Sequence, residues 1–145
     1  MSNLLVQNIK HTNGTTAQTI DTSGRTTVSV MNNDSTYRSD GGAVTQNMVQ
    51  GLAKVWAHSA ENGASLDDNF NSSSITDLAT GKQQINIAND MSNANYSVLC
   101  SYIDNQTDLT HWCDSLTTAK WQQNAYHSGA YIDRAFASVA FGDLA

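Results

Sequence analysis

The sequence predicts an all-β fold: an antiparallel β-sandwich, jelly-roll-like, preceded by an N-terminal β-meander. Three observations predict it. Charged residues are only 14% of the chain, against about 25% in ordinary globular domains. Asn, Ser, Thr, Gln and Gly replace them, and short polar side chains compete for backbone hydrogen bonds and so disfavour helices. Apolar residues recur in short runs with period two rather than at helical spacing. Turn residues punctuate those runs at regular intervals.

Taken in order, residues 1–31 read as the N-terminal segment, 32–51 as a linker and 52–145 as the sandwich. Leu4 to Ile9 is the first strand, and Asn13-Gly14 turns the chain because Asn and Gly tolerate positive φ. Thr15 to Ile20 follows, then a turn over Asp21-Thr22-Ser23-Gly24, then Arg25 to Met31, where Val28 and Val30 alternate with Thr27 and Ser29. The linker carries Asn32-Asn33-Asp34-Ser35 and Asp40-Gly41-Gly42, and Ala43 to Gly51 is compatible with a short helical turn, its pattern being too brief to decide.

Beyond it, Leu52 to Ser59 holds Val55 and Trp56, and Ser65 to Phe70 and Ser72 to Leu78 are strands split by Asn71. A Thr80-Gly81 turn leads into Lys82 to Ala88, which puts Ile85 and Ile87 on one face. Asn95 to Ile103 is the most β-prone run, with Tyr96, Val98, Cys100 and Tyr102 on one side. The Asp-rich stretch Asp104 to Thr118 reads as a loop containing Trp112. Ala119 to Tyr126 and Arg134 to Phe141 are the last strands, with Val139 and Phe141 sharing a face.

Charge and hydropathy narrow the function. The net charge of −6 comes with no Lys/Arg cluster, and binding a polyanion requires such a cluster, so nucleic acid is not an expected partner. No apolar run approaches the roughly 20 residues that span a bilayer, and no basic region followed by an apolar stretch opens the chain. Membrane insertion is therefore not expected, and the product is expected to form in the cytoplasm. Cys100 and Cys113 are the two cysteines; in that compartment thiols stay reduced, and Cys100 reads as a small buried hydrophobe. With no proline in the chain, edge strands need polar side chains or a second copy for protection, which favours an oligomer.

Catalytic patterns are missing. His11, His58, His111 and His127 are scattered and form no zinc-binding spacing. His111-Trp112-Cys113-Asp114 groups three metal-ligand types but needs a fourth ligand and a fixed loop, so a plain surface loop is the expectation. Asp67-Asp68 would point to opposite faces of a strand, whereas a glycosidase needs two carboxylates facing each other across the substrate. No nucleophile elbow, phosphate loop or dinucleotide fingerprint occurs. No cofactor, no metal and no enzymatic activity are expected. Aromatic residues are the remaining candidates: Trp112, Tyr126 and Tyr131 for contact with a host surface glycan, Trp56 and Trp121 for the core or a subunit interface.

The runs Val55-Trp56, Asp68-Asn69-Phe70-Asn71-Ser72-Ser73-Ser74-Ile75-Thr76-Asp77, Gly81-Lys82-Gln83-Gln84-Ile85-Asn86-Ile87 and Met91-Ser92-Asn93-Ala94-Asn95-Tyr96-Ser97-Val98 resemble a β-rich domain of tail-fibre-like and other virion proteins of tailed bacteriophages. Tyr131-Ile132-Asp133 and Ser138-Val139-Ala140-Phe141-Gly142 extend the likeness. Residues 4–28 look like the short attachment segment that precedes such domains. Ser92 stands where the family often has proline, and Gln84 where it has an aromatic. The resemblance implies a non-enzymatic virion structural protein: a short tail fibre or fibre-associated subunit, displayed as a homotrimer and bound to other virion proteins through the N-terminal segment. A capsid decoration or cement trimer and a host-glycan-binding module are the alternatives.

Overall fold

Turn chemistry sets the N-terminal strands. β1 (Asn8–Lys10), β2 (Thr16–Ile20) and β3 (Thr26–Val28) form an antiparallel meander in that order. The β2–β3 turn is closed by Asp21, whose Oδ1 accepts the Ser23 and Arg25 backbone N–H groups at 2.8 and 2.9 Å, while Oδ2 accepts Arg25 Nε at 2.7 Å. These Arg25 hydrogen bonds hold the Asp21 carboxyl below the usual carboxylate range. Gly24 completes the turn at φ 77°, donating its N–H to the Asp21 carbonyl at 2.9 Å.

A second antiparallel pair, β4 (Thr36–Arg38) with β5 (Thr45–Asn47), lies within the segment read as linker, so that segment is not structureless. Thr36, Tyr37 and Thr45 supply β propensity that the flanking Asn and Gly residues obscured. The helical turn read over 43–51 is replaced by β5 and a turn over 48–51. The structure, a computed structural model, describes residues 8–10, 12–14, 16–28, 31, 35–38, 45–103 and 107–145. The start of the first predicted strand at Leu4, His11, Val30, Asn32-Asn33-Asp34 and Asp40-Gly41-Gly42 lie outside them. The chain divides into two units, 1–49 and 50–145.

The second unit is the antiparallel β-sandwich. Its strands are β6 (Val55–Ser59), β7 (Leu66–Phe70), β8 (Ser72–Ala79), β9 (Lys82–Ile87), β10 (Ser97–Tyr102), β11 (Leu109–Thr117), β12 (Lys120–His127), β13 (Ala130–Tyr131) and β14 (Phe136–Phe141). One sheet runs β10-β14-β6-β7; the other runs β11-β12-β9-β8, with β13 also paired to β12. The chain passes from the first sheet to the second between β7 and β8 at a single residue, Asn71, in the left-handed region at φ 56°. Asn71 Nδ2 donates to the Lys54 and Asn89 carbonyls at 3.1 and 3.2 Å, and its Oδ1 accepts the Asn89 N–H at 2.8 Å. Asn is among the few residue types that visit this conformation readily.

The expectation of a loop over 104–118 is corrected over residues 109–117, while residues 104–106 lie outside the described residues. Residues 109–117 form β11, which pairs with β12 from Leu109↔His127 through Thr117↔Lys120. The stretch hides its strand character because a bulge, with Ser115 at φ 53°, breaks the alternation between Asp114 and Thr117.

Inner-face residues of both sheets make the core: Val55 and Ala57, Ile85 and Ile87, Trp121, and Ala140, joined by Met91 and Tyr96. Trp121 and Phe136 are the largest fully buried side chains. Two polar features lie among them. Ser59, Gln83 and Gln123 are buried and bridge the sheets, with Ser59 Oγ donating to Gln83 Oε1 at 2.8 Å and Gln123 Nε2 donating to Ser59 Oγ at 3.2 Å. Tyr96 directs its hydroxyl at the carbonyls of Thr117 and Lys120, each at 2.9 Å, tying the segment before β10 to the β11–β12 turn.

Candidate functional site

Because successive strand residues face opposite ways, each sheet has an outer surface of its own composition, and the two differ sharply.

On the five-stranded sheet the outer face is built from a repeated pattern. Lys82, Gln84 and Asn86 alternate with the inward Gln83, Ile85 and Ile87 of β9; Lys120, Gln122 and Asn124 alternate with Trp121, Gln123 and Ala125 of β12. The Lys-x-Gln-x-Asn order occurs in both strands, and antiparallel pairing sets Lys82 against Asn124, Gln84 against Gln122 and Asn86 against Lys120. Hydrogen bonds lace this surface. Gln84 Nε2 donates to Asn86 Oδ1 at 2.8 Å, Asn86 Nδ2 to Ser74 Oγ at 2.9 Å, and Gln122 Nε2 to Asn124 Oδ1 at 2.6 Å.

All three aromatics singled out from the sequence gather at one end of this face. Tyr126 and Tyr131 are register partners on β12 and β13, their rings edge-to-face with centroids 5.3 Å apart. Trp112, opposite Asn124 on β11, lies 6.1 Å from the Tyr131 ring, and Lys82 Nζ sits 4.5 Å over that ring. Trp112 is thus a mid-strand residue, not a loop residue. Its indole N–H donates to Asp114 Oδ2 at 2.9 Å, and Asn124 Nδ2 donates to the same oxygen at 3.2 Å, so the ring is held in place. Sequence reasoning named the aromatics but missed the amides; the Lys-x-Gln-x-Asn repeat was the signal that could have found them.

On the four-stranded sheet the outer face carries an apolar row. The row runs in register across all four strands: Leu99 opposite Val139, Val139 opposite Trp56, and Trp56 opposite Phe70. Leu99 is 62% exposed, Phe70 54% and Trp56 37%. The next row is Ser101, Ala137, His58 and Asp68, and this row together with Leu99, Val139 and Trp56 lines a groove of about 570 Å³. Of the two strand tryptophans, Trp121 is core and Trp56 faces out.

The remaining candidates do not converge. His111 and Cys113 fall in register with the inward Ala125 and Gln123, while Trp112 and Asp114 face outward, and among the described residues no group of three or more His, Cys, Asp or Glu could hold a metal ion. Asp67 Oδ2 lies 3.3 Å from His58 Nδ1, and Asp68 pairs with His58 in register. Cys100 and Cys113 are free thiols hydrogen-bonded to each other. That bond lowers the Cys100 thiol from its ordinary range, and together with burial it pushes the Cys113 thiol well up. No protein-family profile, curated protein or solved structure matches the chain.

Proposed function

We propose that the protein is a non-enzymatic structural component of a tailed-phage virion: a short tail fibre or fibre-associated subunit that assembles as a homotrimer. The observation that carries this reading is the in-register row Leu99, Val139, Trp56 and Phe70 on the outer face of the four-stranded sheet. Exposed aromatic and aliphatic side chains contiguous across a whole sheet mark an interaction surface rather than a solvated one. A second copy covers it with matching chemistry and shields the sheet edges that the proline-free sequence leaves unprotected. The sequence resemblance to virion proteins supplies the setting, and residues 1–31 supply the docking segment.

Size-exclusion chromatography with light scattering of the full chain tests self-assembly. Three times 15.6 kDa is expected, and Leu99→Lys should yield monomer, because a buried unpaired charge at an interface is strongly unfavourable. A clean monomer at micromolar concentration overturns the proposal. Copy number in purified particles distinguishes a fibre, present in few copies, from a shell decoration, present in many.

A further inference from the structure

We infer that Lys82, Asn124 and Asp114 form a self-acting cross-linking site, in which the Lys82 amine displaces ammonia from the Asn124 side-chain amide and joins β9 to β12 by an isopeptide bond. The inference is independent of self-assembly and concerns the other sheet.

Such a transamidation needs a primary amine, an amide within its reach, a donor on the amide oxygen and a carboxyl that moves protons. Register supplies the first two. Lys82 and Asn124 are direct partners across β9 and β12, where Cβ atoms stand about 4.5–5.5 Å apart, within the span of a lysine stem. Lys82 Nζ rests 4.5 Å over the Tyr131 ring, and rotation of that flexible stem carries it toward Asn124 Cγ.

The amide is held for attack. Asn124 is only 1% exposed, so water is kept from competing with the amine. Its Oδ1 accepts a hydrogen bond from Gln122 Nε2 at 2.6 Å, which draws electrons from Cγ and stabilises the oxyanion that attack creates. Its Nδ2, the atom that must leave, donates to Asp114 Oδ2 at 3.2 Å. The Trp112 indole donates to the same oxygen at 2.9 Å and fixes the carboxyl. Asp114 Oδ1 is buried and has no hydrogen-bond partner among the described residues. A carboxylate oxygen left bare in this way is unfavourable, and a proton received from the lysine satisfies it.

The steps balance without an oxidant or a cofactor. The Lys82 ammonium passes a proton to the Asp114 carboxylate, and the neutral amine attacks Cγ, forming the new N–C bond and moving the C=O π electrons onto Oδ1. Asp114 returns its proton to Nδ2. The Cγ–Nδ2 bond then breaks as the C=O re-forms, and ammonia departs. The new amide nitrogen gives its surplus proton to Asp114, from which the ammonia takes it up as ammonium. The reaction happens once per chain and is not turnover.

The test is intact-mass spectrometry of the denatured full chain after prolonged incubation at neutral pH, followed by peptide mapping. The chain should be lighter than its sequence by one ammonia, and the map should show a branched peptide joining Lys82 to Asn124. Lys82→Arg and Asp114→Asn, each confirmed as folded by circular dichroism, should keep full mass. Full mass in the unsubstituted chain overturns the inference and needs no variant to fold. So does a deficit that persists in Lys82→Arg, which is what succinimide closure at Asn13-Gly14 or Asn62-Gly63 would produce. Link formation in folded Asp114→Asn at the rate of the parent overturns the role given to that carboxyl.

Discussion

Gln83 and Gln84 are adjacent, chemically identical and on opposite sides of β9, which makes them a direct test of the architecture. Gln83 is 2% exposed. Its Nε2 lies 3.0 Å from each of the carbonyls of Ala60, Glu61 and Arg134, and its Oε1 accepts Ser59 Oγ at 2.8 Å and Gln123 Nε2 at 3.3 Å. Replacing it with Ala removes all of these at once. Each buried polar group left without a partner costs about 1–3 kcal/mol. The bonds to Arg134, Ser59 and Gln123 are buried, whereas the Ala60 and Glu61 carbonyls lie in a partly exposed turn where water can substitute. With the cavity added, Gln83→Ala should cost about 3–5 kcal/mol, a large part of the roughly 5–15 kcal/mol that holds a domain together.

Gln84→Ala removes one bond on a solvated face, to Asn86, and should cost about 1 kcal/mol or less. Gln83→Leu isolates the polar contribution: it refills the volume, leaves the partners orphaned and should fall between the two. Urea unfolding of the full chain, followed by tryptophan fluorescence, to which buried Trp121 contributes, measures all three variants, and the slopes should be equal so that midpoints compare directly. If Gln83→Ala and Gln84→Ala shift the midpoint equally, the polar bridge between the sheets does not exist as described.

Three further predictions concern single residues. Gly81 sits at φ 70°, and a Cβ there would lie 2.7 Å from both the Ala125 oxygen and the Ile132 nitrogen, so Gly81→Ala should destabilise by more than the roughly 1–2 kcal/mol of the left-handed conformation alone; a thermal midpoint within a degree of the parent would contradict the packing of that turn. Burial raises Tyr96 to about 12; since this folded value exceeds the ordinary 10, its contribution is intact below pH 10 and is lost as pH rises through 12. Tyr96→Phe should therefore flatten the alkaline loss of stability, and an unchanged alkaline profile would remove Tyr96 as its cause. Cys100 and Cys113 should close a disulfide when oxidised glutathione takes up their two electrons and two protons, adding about 3 kcal/mol for a loop of this length. Intact-mass measurement showing only glutathione adducts would refute the approach of the two thiols.

What the sequence made legible was local, and what it hid was long-range. The Thr80-Gly81 turn and the Ile85/Ile87 face could be read because neighbouring residues carry both signals: one glycine at positive φ, two β-branched side chains two positions apart. Trp112, Tyr126 and Tyr131 could be named by residue type alone. Their meeting could not be read, since it depends on β13 taking the place beside β12 past Asn124, where the pairing with β9 ends at Lys82. The burial of Gln83 and Gln123 was equally hidden: an isolated glutamine reads as a surface residue, and these become tolerable inside only because Ser59, 24 and 64 residues away in sequence, arrives between them from the other sheet. The same logic hid β11, whose inward His111 and Cys113 look like a polar loop until Ala125 and Gln123 stand opposite them. In this chain polar residues occupy inner and outer faces alike, so the alternation of hydrophobicity is weakest where the pairing is most extensive. Register is then set by hydrogen-bonding side chains as much as by apolar burial. A chain built this way should therefore tolerate apolar substitution of Gln83 or Gln123 less well than a hydrophobic sandwich would at the same inner positions, because either change removes a partner of Ser59 on the other sheet.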